Sequence, residues 1–334
     1  MRIGVFCAYE NPGRDFARCY AAQTALVQRA EALGFDEAWV AEHHFDAETA
    51  CPSILALLAY LAGKTSRIRL GSAAVLLAFH NPIQVAEDIA TIDMLSGGRF
   101  DFGVAKGGPF PLQNKHFSAT LDHTRDMTIE ALQLVNRLLY EESVSFSGAF
   151  YQVDDITLVP KPLQKPIPTY LATRTPEAIQ FAARNGLGIM AASPFPVEHV
   201  ANMVEIYREA AAPGADPRLA LARFYHGAPT REAARAQALP FIRGFAERMR
   251  ANFQATGEKG PGFDLDELVE RSLIGGFDEL SDKIQILHER TGFRSLLLTP
   301  CARDEDKNRR ALEDFAHQIR PRLPAAPAEM AVAD

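Results

Sequence analysis

Along the first hundred residues the apolar positions alternate between short continuous runs and a helical period. Ile3 to Ala8 is a short apolar strand. From Arg18 to Leu33, the residues Leu26, Ala30 and Leu33 share one helical face, and Gly34 stands where a helix stops. The apolar stretch Phe35 to Ala41 has strand composition and leads into Glu42-His43-His44. Ser53 to Lys64 reads as a helix with Pro52 near its first turn. Ile68 to Leu77 is apolar and β-branched, the pattern of a buried strand. Ile83, Ile89, Ile92 and Leu95 then mark a helix closed by Ser96-Gly97-Gly98, and Arg99 to Val104 is a fourth strand.

The rhythm continues less regularly. Helices are expected over 124–139, 176–185, 197–211, 279–291 and 304–320, with strands over 168–173, 187–192, 219–226 and 295–298. Strand-helix-strand at this pace means βαβ units and a parallel sheet. Eight strands close a (β/α)8 TIM barrel, which is the expected α/β fold; an open doubly wound sheet is the alternative. Insertions are expected after strand four (107–123 and 140–165) and strand seven (227–276), the latter holding a charged helix followed by the Gly-rich run 254–262. The Gly-rich excursions read as lids or as mobile loops. One domain over residues 1–322 is expected, followed by a disordered tail over 323–334.

Composition narrows the classes. The 334 residues are 47% hydrophobic and 23% charged, those of a globular protein with ample core. A net charge of -7 argues against nucleic acid, whose phosphates want a basic face. No apolar run approaches the roughly 20 residues that cross a bilayer. Cys7, Cys19, Cys51 and Cys301 are scattered, which suits buried free thiols and a cytoplasmic protein.

Chemistry on a barrel sits at the C-terminal strand ends. Strand two ends in Glu42, His43 and His44, whose imidazoles titrate near neutrality. Successive strand residues face opposite ways, so a regular ladder lets only one histidine face a shared pocket. A base with a supporting partner is then more natural than two metal ligands, and no metal is expected. Ser72, Ala73 and Ala74 are small enough for a flat ligand to approach the backbone, or for plain close packing. Lys106 beside two glycines is a cationic candidate or a solvated loop lysine. Ala172-Thr173-Arg174-Thr175 leads into Pro176, an ordinary helix start that is also a phosphate site by its free amides. His80, His116 and His123 lie in or near loops without metal-ligand spacing; His199, His288 and His317 fall on helices and read as surface residues. Phe79, Phe110, Phe195 and Phe224 suit an apolar pocket or the core equally.

These residues resemble the bacterial luciferase-like flavin-dependent monooxygenases. The likeness runs through Gly34-Phe35-Asp36, Trp39 to Phe45, Arg69 to Val75, Pro82 with Ala86-Glu87-Asp88, Asp93 to Phe100 and Gly103 to Gly107. It weakens beyond, returning at Tyr170 to Thr173 and Ala182 to Leu187. The resemblance implies a barrel that binds reduced FMN (FMNH2) over strand three, with a cis peptide at Ala73–Ala74. It makes His43 the catalytic imidazole and Glu42 and His44 part of the cofactor pocket, together with Ser72, Ala73, Ala74, Lys106, Ala172, Thr173, Arg174 and Thr175. Lys106 stands where the family has an arginine, keeping the charge and losing the bidentate fork. Arg174 and Thr175 stand where luciferase has an acid and a serine, and its reactive cysteine falls at Ala105. Light emission is not implied. The implied activity is a two-component monooxygenase acting on paired donors. It would insert one atom of O2 into a small organic substrate through a C4a-peroxyflavin, with a separate flavin reductase and a homodimeric assembly. A deazaflavin-dependent hydride-transfer oxidoreductase, or a non-catalytic flavin-binding partner subunit, are the alternatives.

Overall fold

The computed structural model describes residues 1–117, 123–257 and 262–324. Eight strands form the barrel: β1 Arg2–Cys7, β2 Glu37–Val40, β3 Arg69–Ser72, β4 Phe100–Ala105, β5 Thr169–Ala172, β6 Gly188–Ala191, β7 Ala220–Ala228 and β8 Ser295–Pro300. Each pairs in parallel with the next, and β8 returns to β1 in the register Arg2↔Ser295 through Val5↔Leu298. That closure excludes the open sheet.

Strand alternation divides the side chains. Trp39, Tyr170, Met190, Ala220, Ala222 and Leu297 point inward and pack together. Their neighbours along each strand meet the surrounding helices in the main core. Trp39 fits because Gly71 has no side chain; a Cβ there would lie 2.2 Å from the indole. Gly103 is equally constrained, since a Cβ would fall 2.0 Å from the Ser72 carbonyl.

The expected strand over 68–77 is interrupted. β3 stops at Ser72, the Ala73–Ala74 peptide is cis, and Val75–Leu76 resumes the pairing with β4 that Leu70 and Gly71 began. Between β4 and β5 an antiparallel hairpin, Val144–Ser147 with Gln152–Ile156, was not foreseen. Its strands are short and mostly solvent-facing, so they carry little apolar alternation.

The 227–276 segment holds the expected charged helix. β7 runs to Ala228, and Arg231–Thr256 is one 26-residue helix despite Pro240. A short helix, Leu265–Arg271, and a strand, Leu273–Gly276, follow, the strand pairing with β7. The long helix covers the barrel mouth; of the Gly-rich run 254–262, residues 258–261 lie outside the described residues. The last helix is Glu305–Asp314, continued by two wider or tighter turns to Arg322 instead of a regular helix to 320. Of the expected tail, 325–334 lies outside the described residues. All four cysteines are free and buried. Among the described residues, no helix is long and apolar enough to cross a membrane.

Candidate active site

β2 ends at Val40, so Glu42, His43 and His44 stand in the loop beyond the regular ladder. The two imidazoles nevertheless part. His43 lines the cavity at the barrel mouth, its ring 5.3 Å from that of Phe110. Its Nδ1 is buried and has no hydrogen-bond partner among the described residues. Burial pushes its pKa down to about 4, so the imidazole is neutral at pH 7.

His44 turns to Glu42, with Nε2 2.7 Å from Oε1, and packs against Phe117. His80, read from sequence as a loop histidine, places its own Nε2 2.7 Å from the same oxygen. The other oxygen of Glu42 accepts the Leu76 amide at 3.0 Å, just past the cis peptide. Burial alone would raise the Glu42 pKa, but the hydrogen bonds from His44 and His80 hold it below the ordinary carboxylate range. Burial opposes the proton on His80, and Glu42 outweighs it, raising that pKa. Glu42, His44 and His80 are the three residues, among those described, whose ligand atoms converge within 4.8 Å. Their hydrogen bonds already account for that convergence. Glu42 and His44 therefore stand behind the cavity wall, bracing the 73–80 segment. No sequence signal marked His80, which is 38 positions from Glu42.

The cavity has a volume of about 630 Å³, within the usual range for cofactor sites. Ala73, Ala105 and Ala172 give it a smooth floor. Ala74 is buried and does not line it. Ser72 does not either; its hydroxyl bridges the Gly103 carbonyl and amide, at 2.8 Å each, and stitches β3 to β4.

On the β4–β5 side stand Lys106, Thr173, Arg174 and Thr175, joined by Arg125, which the sequence reading missed. Thr175 is the N-cap of the helix Pro176–Arg184, yet its side chain makes no capping bond. Instead the Thr175 amide donates to the Thr173 hydroxyl at 3.3 Å. Neither Lys106 nor Arg174 has a carboxylate partner among the described residues. Three cations, two hydroxyls and a helix N-terminus thus face one end of the cavity, an arrangement that suits an anion. Behind the next wall, Arg223 on the outer side of β7 donates to the carbonyls of Ala192 at 3.3 Å and Phe195 at 3.1 Å, pinning that loop.

The long helix supplies the roof. Phe245, Arg248, Met249 and Phe253 recur at helical spacing on its inner face, and Phe263 follows. Arg248 ties that helix to the strand-two loop through Glu48 at 3.0 Å, and lies 3.9 Å from Glu10. Of the phenylalanines singled out from sequence, Phe110, Phe195 and Phe224 line the cavity, whereas Phe79 stacks on Phe117 outside it.

The profile of the family described as luciferase-like monooxygenase matches residues 1–294. A 4-hydroxyprotoasukamycin monooxygenase from Streptomyces nodosus subsp. asukaensis is 28% identical, over 94% of this chain and 88% of that protein. An F420-dependent glucose-6-phosphate dehydrogenase from Kineococcus radiotolerans is 31% identical, over 55% of this chain and 56% of its own length. The chain spans only about half the length of that relative. Among solved structures, the monooxygenase RslO1 from Streptomyces bottropensis superposes with a TM-score of 0.85 at 27% identity, over 96% of this chain and 99% of that one.

Proposed function

The chain belongs to the luciferase-like monooxygenase family, and on that premise we propose that it is the FMN-dependent oxygenase component of a two-component system. A separate reductase would deliver reduced FMN, and one atom of O2 would enter a small organic substrate. The observation that carries the cofactor assignment is the unpaired Lys106–Arg174 group beside a floor of alanines. The cations suit a terminal phosphate, and the floor lets a flat ring system lie against the backbone.

When bound, reduced FMN supplies the electrons that activate O2; the protein positions and shields it. Lys106 and Arg174 neutralise the phosphate, and the Thr173 and Thr175 hydroxyls give its orientation. Ala73, Ala105 and Ala172 form the ring platform. Glu42, His44 and His80 hold the backbone beneath that platform. His43 presents a neutral imidazole with a free Nδ1, able to accept or donate a hydrogen bond at the reacting atoms. Phe245, Met249 and Phe253 keep bulk water from the chamber. A homodimer would bury Tyr60, Met94 and Leu95, which are exposed on the two contacting helices Ile54–Ala62 and Pro82–Ser96.

Rapid mixing of the FMNH2-loaded protein with O2 tests the reading. Flavin reoxidation distinct from that of free FMNH2, with oxygen consumed, is expected. Hydride transfer from reduced F420 without oxygen uptake would replace this reading with the deazaflavin alternative, which the Kineococcus relative favours. His43→Ala should divert reducing equivalents to hydrogen peroxide while leaving FMN affinity within about twofold. Wild-type coupling in that variant removes His43 from the mechanism.

A further inference from the structure

The cavity has a second polar end, and nothing in the flavin assignment uses it. β4 and β5 carry the cationic end. Half a turn round the barrel, β8 and β1 are adjacent and lead to Thr299 and Glu10. The Thr299 hydroxyl is buried, lines the cavity and has no hydrogen-bond partner among the described residues. The Glu10 side chain is only 26% exposed, and no hydrogen-bond donor reaches its carboxylate among the described residues; Arg248 approaches no nearer than 3.9 Å. Asp46, close by, differs: its two oxygens already accept from the Glu48 amide and the Thr49 hydroxyl, both at 2.8 Å. Buried polar groups without partners carry a cost that a ligand removes.

Between this end and the roof, the surroundings are aromatic. Phe245 lies edge-on to Phe224 at 4.8 Å, and Phe263 meets Phe245 at 6.3 Å and Phe253 at 5.7 Å. We propose that Glu10 and Thr299 form the substrate's headgroup site, selecting a neutral aromatic molecule that bears a hydroxyl group at one end. The hydroxyl donates to Glu10 and the ring body fills the space below Phe245, Phe253 and Phe263. The charges around Glu10 set the specificity. Arg248 and Arg303 compete with an ammonium group for the nearby carboxylates, while Asp46, Glu48 and Glu10 itself repel a carboxylate. A neutral donor meets neither penalty. The proposal rests on the flavin reading only in leaving the β4–β5 end to the cofactor.

The test is equilibrium binding of 1-naphthol, naphthalene and 1-naphthoate to the FMN-loaded protein, with FMN affinity measured on every variant. The wild type should prefer 1-naphthol to naphthalene by about tenfold, the scale of one hydrogen bond to a charged acceptor, and should reject 1-naphthoate. Glu10→Leu should bring the preference to within about twofold, Glu10→Gln should restore part of it by keeping an acceptor, and Thr299→Val should lower it less than Glu10→Leu does. Burial raises the Glu10 pKa to about 7, so the preference should grow as pH rises through neutrality. Equal binding of the two naphthalenes by the wild type, or an unchanged ratio in Glu10→Leu, overturns the proposal. A protein that discriminates 1-naphthol yet binds no FMN refutes the flavin reading and leaves this one standing.

Discussion

The two ends of the barrel are built from the same strands, and they treat buried charge in opposite ways. At the N-terminal end Glu37 accepts from the Trp39 indole at 2.6 Å and the Ser295 hydroxyl at 2.8 Å, with Arg2 at 3.4 Å. Beside it, Arg69 grips Asp101 through two nitrogens, at 2.9 and 2.8 Å. Gln164 closes that network on Asp93 at 2.7 Å. At the C-terminal end, His43 Nδ1 and the Thr299 hydroxyl are buried without partners among the described residues, and Lys106, Arg174 and Glu10 line a cavity. The first end is complete in itself. The second, apart from the Glu42 network, holds donors and acceptors that no described residue satisfies and that a ligand would, so the two ends suit stability and binding respectively.

Substitutions at each end should separate these roles. The largest effect is expected from Glu37→Ala, which leaves the Trp39 and Ser295 donors buried and unpaired. It should cost about 3 kcal/mol of stability in denaturant unfolding, while the folded fraction binds FMN as the wild type does. An FMN affinity that fell in step would show that the two ends are not independent.

Lys106→Ala should act the other way. FMN affinity should drop about tenfold, riboflavin affinity should hold, and the denaturation midpoint should barely move. Equal losses for FMN and riboflavin would detach Lys106 from the phosphate.

The smallest effect is that of His43 on acid stability. An unfolded chain protonates this histidine near its ordinary value, and the folded protein does so only at about 4. Between those values the unfolded state holds the extra proton. The contribution is therefore whole above the unfolded pKa and is lost as pH falls toward the folded one. His43→Gln should show a shallower acid decline of its unfolding midpoint than the wild type. Identical slopes would mean that His43 is solvated in the folded protein.

Much of this was legible in the linear pattern. Every barrel strand fell where an apolar run predicted it, because a strand buried on both faces must be nearly continuously apolar. Glu42-His43-His44, Lys106 and Thr173-Arg174-Thr175 were recognisable because chemistry-bearing residues at strand ends interrupt such runs. The break in β3 was invisible to periodicity, since Ala73 and Ala74 continue the apolar run through the cis peptide. In the 227–276 segment the charged helix was legible and its end was not: the Gly-rich run read from Gln254 begins inside the helix, which Gly257 closes.

The sequence by itself determined the alternation of strands and helices, the small residues that admit Trp39 and a flat ligand, and which short stretches carry polar groups to the strand ends. Only the tertiary structure decided which of those groups are spent on one another. Ser72, Glu42 and His44 proved to be satisfied within the protein, and His80 joined them from far along the chain. His43 Nδ1, the Thr299 hydroxyl, Lys106 and Arg174 found no such partner among the described residues, and Glu10 only the distant Arg248. The reason is physical: a residue's type fixes how many hydrogen bonds it can make, but whether a partner stands within reach depends on barrel closure, which brings β8 beside β1 across nearly the whole length of the chain.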